Sequence, residues 1–69
     1  MNNLKINSEY IRLCDAMKLA NIVYSGGMAK VLILDEKVKV NNEICTLKGK
    51  KLYENDVFTF EGVDFKITK

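Results

Sequence analysis

The chain contains no histidine and no proline, and only two of its 69 residues are cysteines. Histidine is the commonest general base and the usual partner of a nucleophile, so its absence argues against catalysis. Two cysteines without histidine cannot complete a four-ligand zinc site, and Cys14 and Cys45 do not have the C-x-x-C spacing. The sequence therefore predicts a protein that is not an enzyme and that holds neither a metal nor a cofactor.

Long apolar runs are also missing. No run approaches the ~18 residues that a membrane span requires, and no basic segment followed by an apolar one marks a secretory signal. We therefore expect a cytoplasmic protein without a membrane partner. At 69 residues we expect one domain covering residues 1–69, and without proline nothing marks a linker. A Cys14–Cys45 disulfide is possible, but the apolar context of each cysteine favours small buried thiols.

Charge is unevenly distributed along the chain, although the net charge is only +2. Residues 37–51 carry five lysines against one glutamate, a net charge of +4, whereas residues 52–64 carry four acidic residues and no basic one. Residues 1–36 balance, with four charges of each sign. Segregation of this size predicts a basic face, which attracts polyanions.

Apolar spacing predicts two helices. Tyr10, Leu13 and Met17 recur at helical spacing, which predicts a first helix from about residue 11 or 12 to residue 20. Asn21 can end it in the left-handed region. Ser25 is a good N-cap for a second helix, which opens on two glycines and carries its buried side on Ala29, Leu32 and Ile33.

Short alternating segments predict strands at residues 4–6, 38–40, 57–60 and 63–67, the last with Val63 facing inward. Leu52 and Tyr53 are expected to re-enter the core. The pair Asn41–Asn42 suits a two-residue hairpin turn, which would expose Ile44, whereas a longer loop would bury it. The order predicts an α+β fold, with two helices packed on one face of a small, mostly antiparallel sheet of four to five short strands.

These elements resemble the S-four-like RNA-binding domain, and the resemblance extends from about residue 6 to residue 67. The closest type is the short free-standing bacterial one (YaaA/YbcJ-like). Its alpha-L motif is a helix–turn–helix that leads into a lysine-flanked turn. The matching stretches, in family order, are residues 12–20, 25–30, 38–41 and 50–57.

The resemblance implies binding to structured RNA, ribosomal or transfer RNA, and association with the ribosome or a ribosomal subunit. Carried over by position, the contacts are Lys18, Ser25, Gly26, Gly27, Lys30, Lys39, Asn41, Lys48, Lys50 and Lys51. The chain departs from the family where Asn42 replaces glycine, where Cys14 replaces an acidic residue, and where residues 46–50 carry lysines instead of arginines. Because lysine binds phosphate as a point charge, we expect recognition of shape and backbone more than of bases.

Other interpretations of the same residues are open. The lysines could be solvated surface charges, and the two glycines could form a plain turn. The three phenylalanines could be platforms for bases, although core packing is favoured, and Tyr24 or Tyr53 could lie at the edge of the basic face. The acidic residues after position 52 are expected to be solvated. The alternative function is a small protein-interaction module that docks by a sheet edge or by the first helix.

Overall fold

A computed structural model describes residues 2–69. The elements are, in chain order, β1 (Asn2–Lys5), β2 (Tyr10–Arg12), α1 (Leu13–Leu19), α2 (Gly26–Leu34), β3 (Val38–Val40), β4 (Glu43–Ile44), β5 (Lys51–Tyr53), β6 (Val57–Phe60) and β7 (Val63–Thr68). The predicted α+β fold is confirmed: two helices pack on a five-stranded sheet. A two-stranded ribbon of β2 and β5 is added to it, and we call it the ribbon below.

The five-stranded sheet has the order β1-β7-β6-β3-β4, and only the β1–β7 pair is parallel. Register places Val40 opposite Phe58, and Phe58 opposite Phe65, so these side chains share the inner face. The Phe58 ring is fully buried and stacks on Phe65, with 4.9 Å between the ring centroids. Core packing of Phe58, favoured on sequence grounds, is confirmed.

Helix α1 begins at Leu13, so the predicted inclusion of Tyr10 in its buried face is wrong. Tyr10 belongs to β2 and lies opposite Tyr53 of β5. Its spacing fits a helix, but the three residues before Leu13 are extended because β5 pairs with their backbone. The helix is short, and its fully buried residues are Leu13, Ala16 and Met17.

Both helices end in the left-handed region. Asn21 has φ 60°, as predicted, and the N–H of Ile22 donates to the carbonyl of Met17 at 3.0 Å. Glu36 has φ 60° after α2, and the N–H of Lys37 donates to the carbonyl of Leu32 at 3.1 Å. These 6→1 hydrogen bonds are those of the Schellman motif, which satisfies the last carbonyls of a helix.

The hairpin between β3 and β4 has a strict two-residue turn. Asn41 and Asn42 have φ values of 50° and 71°, as a type I′ turn requires. Lys39 lies opposite Ile44, whose side chain is exposed, while Cys45 is half-buried against the core. The structure thus decides between the two registers that the sequence left open.

Two residues expected in the core are exposed. Tyr53 is 45% exposed because it lies on the outer face of the ribbon, and Val63 is 43% exposed because it directly follows the turn at Glu61–Gly62. Cys14 and Cys45 are free thiols, each half-buried. Within the described residues, no helix has the length and apolar character needed to cross a membrane.

Candidate nucleic-acid interface

The segment 46–50, which we call the lysine loop, is fixed against the start of α1. The carbonyl of Lys50 accepts a hydrogen bond from the N–H of Leu13 at 2.8 Å, and that of Lys48 accepts one from Cys14 at 3.1 Å. A helix start leaves its first N–H groups unpaired, and here the loop backbone satisfies two of them. The loop therefore has a defined position, and its lysine side chains extend from an anchored backbone.

Three lysines from two separate segments line one groove. Lys30 of α2 faces Lys48 and Lys50 of the lysine loop across a cavity of about 410 Å³, which we call the lysine groove. All three lysines are exposed, and none forms an ion pair with an acidic residue in the described chain. The remaining lining residues are uncharged: Leu34, Thr46, Leu47 and Gly49. The groove is thus a concentration of uncompensated positive charge.

The N-terminus of α2 lies one turn upstream of Lys30. The prediction that Ser25 is the N-cap is confirmed, since its Oγ accepts a hydrogen bond from the N–H of Met28 at 3.2 Å. A Cβ at Gly26 would meet no atom within 4 Å, and one at Gly27 would meet only the Ser25 Oγ, at 3.8 Å. The first turn of the helix is therefore open to an approaching anion, and its N–H groups and dipole favour one.

Asn41 lines a neighbouring groove of about 420 Å³ together with Lys50. Its exposed side chain is, however, hydrogen-bonded to other residues of the protein. The Oδ1 of Asn41 accepts from the N–H of Val57 at 3.0 Å, and its Nδ2 donates to the Oδ1 of Asp56 at 3.3 Å. Asp56 also accepts from the N–H of Tyr53 at 2.8 Å, so the expectation that it is only a solvated charge is wrong. Asn41 and Asp56 together fix the hairpin to the turn before β6.

Three of the sequence-predicted lysines lie outside the lysine groove. Lys18 forms an ion pair with Asp15, with 3.2 Å between Nζ and Oδ1. Lys39 projects from the outer face of the five-stranded sheet, since Val38 and Val40 on either side of it are buried. Lys51 lies on the ribbon, 4.8 Å from the centroid of the Tyr10 ring. The structure therefore brings together Lys30, Lys48 and Lys50, with Asn41 at the adjoining groove.

Sequence reasoning missed the apolar wall of the groove and one cation. Leu34 and Leu47 line the groove, and both are largely exposed. A leucine inside an otherwise polar loop was the available signal for Leu47. Arg12 lies directly opposite Lys51 on the ribbon. The predicted first helix begins at about residue 11 or 12, so nothing in the sequence around Arg12 connects it with Lys51.

Comparisons with known proteins agree with this architecture. The S4 domain family matches residues 4–68. The "Probable ribosome maturation protein RlbA" of Bacillus subtilis (strain 168) is 43% identical over 61 residues, which cover 88% of this chain and 86% of RlbA. YbcJ of Escherichia coli (strain K12) is 34% identical over 53 residues, which cover 77% of this chain and 76% of YbcJ.

The fold is also that of a solved relative. The solution structure of YbcJ from E. coli, described as revealing an alphaL motif involved in RNA binding, superposes with a TM-score of 0.74 and 27% sequence identity. The match covers 100% of this chain and 89% of that one. Because the family match spans nearly the whole sequence and the relatives share its length and fold, this chain belongs to the S4 domain family.

Proposed function

We propose that this protein binds structured RNA, ribosomal or transfer RNA, through the lysine groove and the first turn of α2, and that it does so without catalysis. The observation that carries the proposal is the convergence of Lys30, Lys48 and Lys50 on one groove without an acidic partner. Lysines close together repel one another, and solubility does not require them to be close. Binding several phosphates of an RNA backbone does require several positive charges at one surface.

The chemistry of the groove favours paired RNA read by its shape. The phosphate-binding groups are lysine ammonium groups and open helix N–H groups, both of which bind phosphate without distinguishing bases. An RNA double helix presents phosphates and 2′-hydroxyls across its shallow groove, and its deep groove is closed to side chains. Leu34 and Leu47 add an apolar wall that can contact ribose carbon atoms.

The proposed contacts differ in role. Lys30, Lys48 and Lys50 hold phosphates at the centre, and the backbone of Gly26 and Gly27 holds one at the helix start. Ser25 and Asn41 act by fixing the helix start and the hairpin. Lys18, Lys39 and Lys51 are peripheral contacts, outside the lysine groove. These roles follow from where each residue lies relative to the lysine groove and from its ion pairs and hydrogen bonds. Central, positioning and peripheral residues can each be tested separately.

The named relatives support the partner. RlbA carries a ribosome maturation name, and YbcJ carries a motif described as involved in RNA binding. We propose accordingly that this chain acts on or near a ribosomal subunit in the cytoplasm. The lack of histidine is consistent with binding alone.

Crosslinking in cells followed by sequencing of the bound RNA tests the proposal. Three proteins are compared: the unmodified chain, the groove variant K30Q/K48Q/K50Q, and the control variant K5Q/K66Q/K69Q. The control removes the same charge from β1, β7 and the C-terminal residue, at the opposite edge of the sheet from β4. Reads enriched in ribosomal or transfer RNA should be lost only in the groove variant. Equal enrichment in all three proteins would refute the proposed site.

A protein partner is the second candidate because one face of α2 is exposed and apolar. Met28, Val31 and Leu34 lie three residues apart on it and are 44–67% exposed. An apolar helix face of this kind suits a helix or strand of another protein. Such docking would persist at high salt, whereas phosphate binding would weaken.

A further inference from the structure

The outer face of the ribbon carries four side chains in a square. Tyr10 lies opposite Tyr53, and Arg12 lies opposite Lys51. Ile11 and Leu52, the residues between them, point to the other side: Leu52 is fully buried and Ile11 packs against the core. Because strand side chains alternate, the two tyrosines and the two cations share one surface.

The positions of the two cations, Arg12 and Lys51, do not favour the stability of the ribbon. Like charges directly opposite each other on a sheet are destabilising. Neither Arg12 nor Lys51 forms an ion pair with an acidic residue in residues 2–69. Both instead approach the same ring, since the Arg12 Cζ lies 6.0 Å and the Lys51 Nζ 4.8 Å from the Tyr10 centroid. An anion between them would relieve the repulsion.

The second tyrosine offers a free aromatic surface beside this pair of charges. The Tyr10 and Tyr53 rings are 5.8 Å apart and tilted by 49°, so neither ring stacks flat on the other. Tyr53 is 45% exposed. Exposed aromatic rings next to cations are the combination that binds single-stranded nucleic acid, in which the base stacks and the phosphate pairs.

The ribbon is also continuous with the lysine groove. Lys50 lines the groove, whereas Lys51, the next residue, lies on the ribbon. Consecutive Cα atoms are about 3.8 Å apart, so the end of the lysine groove and the start of the ribbon are direct neighbours in the structure.

We propose that the outer face of the ribbon binds an unpaired nucleotide of the RNA, with its phosphate between Arg12 and Lys51 and its base stacked on Tyr53. The inference rests on the proposed function, since the lysine groove holds the adjoining paired segment. It adds a preference to that function: RNA in which a single strand leaves a double helix is bound more tightly than the double helix alone.

The test uses a blunt RNA hairpin and the same hairpin with a four-nucleotide extension at the 5′ end or at the 3′ end. One extension base is 2-aminopurine, whose fluorescence falls when it stacks. Binding is measured for the unmodified chain, Y53L, Y53F and K30Q/K48Q/K50Q. Y53F keeps the ring and is the matched control for Y53L, and urea denaturation of each variant establishes that it is folded.

The unmodified chain should bind one extended hairpin roughly 5- to 100-fold more tightly than the blunt one and quench its 2-aminopurine. Y53L should lose the preference and the quenching while keeping its affinity for the blunt hairpin, and Y53F should retain both. Equal affinity for blunt and extended hairpins would overturn the ribbon site, as would an equal loss on both RNAs in Y53L. If no RNA is bound at low salt, the proposed function fails and the ribbon site with it.

Discussion

The residues around each lysine determine whether its charge is free to bind phosphate. Lys18 forms an ion pair with Asp15, Lys51 lies over an aromatic ring, and Lys30 faces the lysine loop without an acidic partner. The residue type was readable from the sequence for all three, but the pairing was not, because two of the three partners are far away along the chain. Ser25 and Asn41 show the opposite case, since both are predicted RNA contacts and the side chain of each is hydrogen-bonded within the protein.

Ser25 allows stability and binding to be separated. Ser25→Ala removes the N-cap acceptor and should lower the free energy of unfolding by about 1 kcal/mol. Ser25→Asp keeps an acceptor and suits the helix dipole, so its stability should match or exceed that of the unmodified chain. The added negative charge should nevertheless lower RNA affinity. Urea denaturation and RNA titration of both variants measure this, and undiminished affinity in Ser25→Asp would place the RNA elsewhere.

Asn41 is expected to act through the fold. Asn41→Ala removes the hydrogen bonds to Val57 and Asp56 and also places an alanine at φ 50°, and together these changes should destabilise the protein by about 2 kcal/mol. The control is Asn42→Gly in the same turn, where φ is 71° and glycine fits without strain. The control should be at least as stable as the unmodified chain in thermal or urea denaturation. A fully stable Asn41→Ala variant would show that the bridge contributes nothing.

The helix ends carry unequal strain although their geometry is the same. Asn21 tolerates the left-handed region through its short polar side chain, whereas Glu36 has no such advantage at φ 60°. Glu36→Gly should therefore raise the free energy of unfolding by about 0.5–1 kcal/mol. Asn21→Gly is the matched comparison and should gain less. Denaturation midpoints decide the order, and a loss of stability in Glu36→Gly would contradict it.

Local chemistry made α2 and the β3–β4 hairpin predictable. Ser25 followed by two glycines marks a helix start, and Asn41–Asn42 marks a two-residue turn, and both signals lie within a few residues. The ribbon was not predictable in this way. Tyr10 fits a helical period, and only pairing with Tyr53, far along the chain, makes its backbone extended.

Across the whole molecule, the charge pattern predicted a basic face but not its layout. The five lysines of residues 37–51 are dispersed. Lys48 and Lys50 line the lysine groove, Lys39 lies on the outer face of the sheet and Lys51 on the ribbon. The fifth, Lys37, pairs with Asp35. Lys30, outside that segment, joins the groove because the loop backbone is held against α1 beside α2. Composition therefore indicated the kind of partner, and tertiary packing determined which charges can act together.

The loss of RNA affinity on removing a lysine should be smaller the farther that lysine lies from the lysine groove. Lys50→Gln should weaken RNA binding more than Lys39→Gln, since Lys50 lines two adjoining grooves and Lys39 lies on the sheet's outer face. Both variants lose one charge, so any difference reports position. Titration with one hairpin RNA at fixed salt measures it. A larger loss of affinity in Lys39→Gln would show that the interface lies on the sheet and not at the groove.

The salt dependence of RNA affinity tests the central claim most directly. If four to six phosphates are contacted, log Kd should rise with log salt concentration with a slope of roughly 3 to 5. The groove variant K30Q/K48Q/K50Q should reduce that slope by about 2 to 3, whereas the control K5Q/K66Q/K69Q, with the same net charge, should leave it unchanged. Equal slopes for the two variants would contradict a phosphate-binding lysine groove.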